Sequence, residues 1–279
     1  MRRLYAIVKD AILHFIAEDG FGVASHMTLA ALTSLFPFLI FVAALAGFVG
    51  TSDLADEATK LVFDAWPAAV AKPIAAEVRN VLTAPRGGLL TLGAALSLYF
   101  STSAIEALRL GLNRAYGFEE RRPWWLLRLE SVGYLIVGSS ALLGLAFLLV
   151  LGPTLWNWAV AWAPSIAPLA DDANFVRLGV ATLLLAGATA AAHLWLPAGR
   201  LTLSDIAPGV AATLIASVAF SEAFGAYLRD YAARYVSTYA GLASVMVAIL
   251  FLNSLSTIFL AGGALNAAIM RARKNPGRS

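Results

Sequence analysis

Residues 240–270 read AGLASVMVAILFLNSLSTIFLAGGALNAAIM, 31 positions without one Asp, Glu, Lys or Arg. About 20 mainly apolar residues suffice for a helix to cross the hydrocarbon core of a bilayer. The stretch is therefore predicted to be a transmembrane helix, long enough to tilt or to project beyond the bilayer. Working back towards the N-terminus, five more segments pass the same test: about 27–49, 88–108, 131–151, 176–196 and 209–228. The predicted fold class is all-α, a polytopic membrane protein of six transmembrane helices with amphipathic interfacial helices beside them.

Composition agrees. Of the 279 residues, 60% are hydrophobic and only 13% charged, with a mean hydropathy of +0.76; a soluble domain carries about 25% charged residues. The chain has no cysteine, which excludes disulfides, thiolate catalysis and Cys-ligated zinc. His14, His26 and His193 are far apart and form no metal-ligand spacing. No metal or cofactor is expected, and no nucleotide-binding motif is present. Met1-Arg2-Arg3 is basic, but Lys9 and Asp10 interrupt any signal-peptide core. The first span is expected to act as the insertion signal.

Lys and Arg set the orientation. With the N-terminus inside, 13 of the 20 fall in inner segments and seven in outer ones, the bias being strongest at 109–128 and in the tail. Both termini are thus expected in the cytoplasm. Residues 1–26 form an N-terminal region, 27–270 the membrane domain and 271–279 a basic tail. Within 2–17, Leu4, Ile7, Val8, Ala11, Ile12 and Phe15 recur at helical spacing. Such a helix suits the membrane interface, and equally a packed position on the cytoplasmic face of the bundle. The outer stretch 51–86 reads as two amphipathic helices broken at Pro67 and Pro73, with Trp66 near the interface. The outer loop 152–175 carries Trp156, Trp158 and Trp162, as interfacial segments do.

Ionisable groups within a membrane are costly, so each is a functional candidate. Glu222 lies inside the fifth span; it could bind a cation, a proton or a polar substrate, or be a hydrogen-bonded structural carboxylate. Glu106 can pair with Arg109 three residues on, and Asn113, Ser97 and Ser101 extend that polar strip, lining a cavity or satisfying a helix end. Tyr227, Tyr231, Tyr235 and Tyr239 recur every fourth residue, as an aromatic belt or a platform for a lipid headgroup or sugar. Pro37 should kink the first span. Gly262 and Gly263 permit close helix packing. His193 reads as an interfacial or packed histidine.

Several short motifs carry a resemblance. They are Thr33-Ser34-Leu35-Phe36-Pro37, Asn113-Arg114-Ala115-Tyr116-Gly117, Pro208-Gly209, Tyr239-Ala240-Gly241 and Leu265-Asn266-Ala267. With them the chain resembles the YihY/BrkB family of bacterial inner-membrane proteins, over nearly its whole length. Two departures stand out. Leu29 and Ala30 occupy the place of a common tyrosine pair, and Ala264 that of a glutamate before the final Leu-Asn. The resemblance implies an inner-membrane location and links to virulence, serum resistance and lipid or lipopolysaccharide export. An older label for such proteins, ribonuclease BN, is at odds with a chain that lacks a metal cluster and a soluble catalytic domain.

The expected function is transport or lipid handling, with Glu222, Glu106, Asn113 and the tyrosines converging on one polar cavity. The alternative is a non-catalytic scaffold or assembly factor for envelope components. An intramembrane enzyme would need paired acid and base groups that the sequence does not place together. Membrane lipids are the expected partners, with a lipid or small-molecule substrate and no nucleic acid. Abundant small residues would permit a homo-oligomer.

Overall fold

The computed structural model describes residues 2–49, 90–162, 173–239 and 242–274, and every element in them longer than a turn is an α-helix. In chain order these are α1 Arg2–Ala17, α2 Gly20–Val49, α3 Leu90–Tyr116, α4 Trp124–Trp162, α5 Ala173–Trp195, α6 Leu203–Tyr239 and α7 Leu242–Lys274. The outer stretch 51–86 and Gly241 lie outside the described residues.

The helices run longer than the apolar segments alone predict, and local chemistry says why. The expected second span, 88–108, continues to Tyr116, where Gly117 at φ 71° ends it. Phe118 N–H bonds Asn113 O at 2.8 Å and Gly117 N–H bonds Arg114 O at 3.0 Å. This is the paired bond pattern of a left-handed helix C-cap, accompanied by packing of Phe118 on Tyr116 and the apolar cluster around it. The expected fifth span, 209–228, starts six residues earlier. Thr202 caps α6: Asp205 Oδ2 accepts from Thr202 N at 3.1 Å and from Thr202 Oγ1 at 2.6 Å. Both α2 and α6 remain helical through their prolines, Pro37 and Pro208.

Helix α7 is the hub and packs on α1, α2, α3 and α6; α2 lies along α3, and α5 along α6. One core cluster joins Val23, Ala24 and Met27 of α2 to Ala107 and Ala115 of α3 and Leu260 of α7. Between α2 and α7, Asn253 donates to Ser25 at 3.0 Å and Thr28 to Ser256 at 3.3 Å. Polar bonds of this kind tie helices in lipid, where burial of apolar surface gives no drive for association.

Among the described residues three stretches are long and apolar enough to cross a membrane: Trp124–Leu143, Leu203–Arg229 and Val245–Lys274. Only 22% of each most apolar window is fully buried within the chain, which leaves much of its apolar surface at least partly open. Ile215, Val218, Val245 and Leu250 are among the exposed side chains. Water would not tolerate so much apolar surface; a bilayer does. The protein is an all-α polytopic membrane protein.

Candidate functional site

The ends of α3, α5 and α7 and the start of α6 meet at one end of the bundle, where most of the described Arg and Lys residues also lie. There the structure builds a buried polar junction. Asn266 of α7 is fully buried and makes three bonds. Its Oδ1 accepts from Gly209 N–H of α6 at 2.6 Å, and its Nδ2 donates to Ile206 O and to the Tyr116 hydroxyl of α3, each at 3.0 Å. The Tyr116 oxygen lies 2.7 Å from Nδ1 of His193, itself fully buried on α5. With Asn266 donating to it, the Tyr116 hydroxyl has its own proton left for His193 Nδ1. The imidazole then carries its proton on Nε2, which has no partner.

Glycine makes this closeness attainable. A Cβ on Gly209 would sit 2.1 Å from Gly262 O and 2.4 Å from Asn266 Nδ2. A Cβ on Gly262 would sit 2.1 Å from Thr213 Oγ1. The two backbones touch, as small residues permit in membranes. Pro208 contributes as well. It removes the N–H that would serve Ser204 O in a regular helix, and Arg273 Nη1 approaches that carbonyl at 3.5 Å.

A charged network lies beside the junction. Arg122 bonds Glu120 through Nη2 at 2.7 Å and Nε at 2.9 Å, Glu130 at 2.9 Å, and Leu196 O at the end of α5 at 3.1 Å. Asn113 donates to Glu120 at 3.1 Å and accepts from Ala198 N–H at 2.7 Å. Arg109 reaches Leu127 O at 3.1 Å and Glu130 at 3.5 Å. Hydrogen bonds from Arg122 hold the Glu120 carboxyl at about 2, well below the usual carboxylate range, and they raise the Arg122 guanidinium in turn.

The structure separates the sequence candidates into groups. Asn113, Tyr116, Gly117, Pro208, Gly209 and Asn266 come together at the junction and its border. Glu106 does not pair with Arg109. Arg128 takes it at 2.5 Å, because Arg128 comes in from α4 while Arg109 is buried towards Glu130. Glu222 is exposed on α6, 13 residues beyond Gly209 and hence about 20 Å along the helix. Tyr227 stacks on Phe224 at 6.5 Å, beside Phe220 and Phe251. Tyr231 and Tyr239 belong to α6, but their side chains lie outside the described residues. The expected convergence of Glu222, Glu106, Asn113 and Tyr227 on one cavity is therefore not seen. A cavity of about 10 Å³ lies elsewhere, lined by residues that include Phe15, Val23, Gly111 and Leu260.

Sequence reasoning underrated His193, and missed Glu120, Arg122 and Asp205. The Thr202–Asp205 spacing was a readable capping signal; nothing local marks His193 as the partner of Tyr116. Among the described residues no three His, Asp or Glu side chains gather as a metal site would require.

Comparison with known proteins places this architecture. The chain is similar to YfkH of Bacillus subtilis, named a ribonuclease-like protein, at 24% identity over 271 residues, covering 97% of this chain and 98% of that one. It is also similar to a UPF0761 membrane protein of Rhodospirillum centenum, at 24% identity over 267 residues. That match covers 94% of this chain and 57% of the relative. No solved structure matches. The family model described as "Virulence factor BrkB" matches residues 11–279, and the chain belongs to that family.

Proposed function

We propose that the protein moves or handles a lipid or small polar molecule across the cytoplasmic membrane, with both termini inside, and that the buried junction closes its inner end. One observation carries the reading. Among the described residues, besides Arg109 Nε and Arg271 Nη2 at the basic end, polar atoms on four helices are buried without a hydrogen bond: Ser101 Oγ on α3, Ser139 Oγ on α4, His193 Nε2 on α5 and Thr213 Oγ1 on α6. Other hydroxyls in the bundle turn back onto their own helix, as Thr28, Ser131 and Thr189 do at 2.7–2.9 Å. A bundle built only to hold its shape gains nothing from orphaned polar groups, each of which costs about 1–3 kcal/mol when buried. A path for a polar substrate does use such groups, in a conformation that opens towards them.

A scaffold or assembly role is the second reading. The small cavity and the distance of Glu222 from the junction favour it. Reconstituted vesicles separate the two. Phospholipid carrying an NBD fluorophore is placed in both leaflets and quenched from outside by dithionite. The transport reading expects the inner-leaflet label to be lost faster than in protein-free vesicles, and faster still with Asn266→Leu, which removes the bonds that hold α7 to α6. A wild-type rate equal to that of empty vesicles moves the account to the scaffold.

A further inference from the structure

Helix α1 divides its surface two ways. One face is tied to the bundle: His14 Nε2 lies 3.1 Å from Ala115 O, Asp10 accepts from Arg271 Nε at 3.0 Å and pairs with its Nη2 at 2.9 Å, and Ala11 is buried. At 100° per residue, Leu4, Tyr5, Val8, Ile12 and Ile16 fall in a separate arc of about 120°. They are 67%, 71%, 42%, 54% and 57% exposed, which no packed helix of the bundle interior would be. Lys9 borders that arc, with Leu13, also exposed, beyond it; Phe15, at an angle within the arc, turns instead into the core cluster. Arg3 and Lys9 are both exposed, and neither has an ion pair among the described residues.

The level of α1 follows from what holds it. Its anchors, Ala115 and Arg271, stand at the last turns of α3 and α7. Exposed tryptophans mark the same end: Trp124 and Trp125 at the start of α4 and Trp195 at the end of α5, at 78%, 57% and 60% exposure. Tryptophan settles at headgroup depth. A helix at that depth, with an apolar arc, Lys9 at the border of that arc and Arg3 exposed in its first turn, complements a bilayer surface of negative charge.

We propose that α1 is a foot that docks on anionic phospholipid of the leaflet at the basic end, its apolar arc among the acyl chains and Arg3 and Lys9 on headgroup phosphates. The docking stands whether the bundle transports or not.

The chain has no cysteine, so one nitroxide can be placed by Ile12→Cys in the full-length protein. The labelled protein goes into nanodiscs of phosphatidylcholine alone, or of phosphatidylcholine with phosphatidylglycerol. Spin-label accessibility then reports the docked fraction: oxygen reaches a label in lipid, and a water-soluble nickel chelate reaches one outside it. Docking predicts an oxygen-accessible label with phosphatidylglycerol and a lower docked-to-lifted ratio without it. Each cation near an anionic surface is worth about a fivefold change at low salt, so Arg3→Gln with Lys9→Gln should remove most of the lipid dependence. Three results overturn the proposal: an equal ratio in the two lipids, a chelate-accessible label with phosphatidylglycerol, or a lipid dependence unchanged in the double variant. The first two need no charge variant, so a misfolded double variant does not protect the idea.

Discussion

Adding one methyl group to α6 should change stability in opposite directions at two positions. At Gly225 a Cβ meets nothing within 4 Å, whereas at Gly209 it meets the backbone oxygen of Gly262 at 2.1 Å and Asn266 Nδ2 at 2.4 Å. Backbone cannot rotate out of the way, so α6 and α7 must part. Overpacking of this kind costs about 1–3 kcal/mol. Parting also lengthens the 2.6 Å Gly209–Asn266 bond and the 3.0 Å Asn266–Ile206 bond, each worth about 0.6 kcal/mol between helices in lipid. Against this stands the gain of about 1 kcal/mol for replacing glycine by alanine in a helix. Gly209→Ala should therefore destabilise by about 1–3 kcal/mol, and Gly225→Ala should be neutral or stabilise by up to about 1 kcal/mol. Reversible unfolding in bicelles, with equilibrium constants from steric trapping, measures both. Equal stability of the two variants would refute the close α6–α7 contact on which the junction depends.

Tyr116→Phe leaves Asn266 and His193 each one partner short, and should cost about 1–2 kcal/mol in the same assay. Combined with Asn266→Ala, the two losses should fall short of additive, because both remove the same bond. The Glu120 carboxyl is held below its unfolded value. Its stabilisation is therefore complete above about 4.5 and lost as the pH falls towards about 2. Arg122→Gln should lower stability at neutral pH and flatten that acid limb, as read by thermal unfolding from pH 6 to pH 2. Glu222 lies exposed on a spanning helix, where a carboxylate is penalised by about 2.5–3.5 kcal/mol at mid-bilayer. Glu222→Gln should raise the membrane-inserted fraction in a translocon insertion assay and leave lipid flux unchanged.

The fold class was legible because a run such as 240–270 has few alternatives once 31 residues pass without a charge. Helix α1 was legible to its last residue, since its apolar spacing stops at Ala17. Helix ends were harder. Hydropathy marks the part of a helix in lipid, while the Thr202 cap and the Gly117 turn decide where α6 begins and α3 stops. The motif residues Asn113, Tyr116, Gly209 and Asn266 stood out one by one, but nothing in their spacing says that they meet. Their contacts join residues up to 150 positions apart, and one helix face cannot announce the face it packs on. The Glu106–Arg109 pair illustrates the opposite error. Spacing along one helix permits it, yet Arg128 on the next helix offers Glu106 a shorter reach.

Transport as proposed requires α6 and α7, joined at Gly209, Gly262 and Asn266, to part. The cysteine-free background allows that seam to be locked at Ser204→Cys and Arg273→Cys, which face each other across α6 and α7, with a disulfide-containing thiol cross-linker. The measurement is NBD-phospholipid flux in vesicles holding the locked protein, before and after reduction. The account predicts flux near that of empty vesicles while the disulfide is closed, rising several-fold when it is reduced. Equal flux in the locked and reduced states, whether fast or absent, would contradict it.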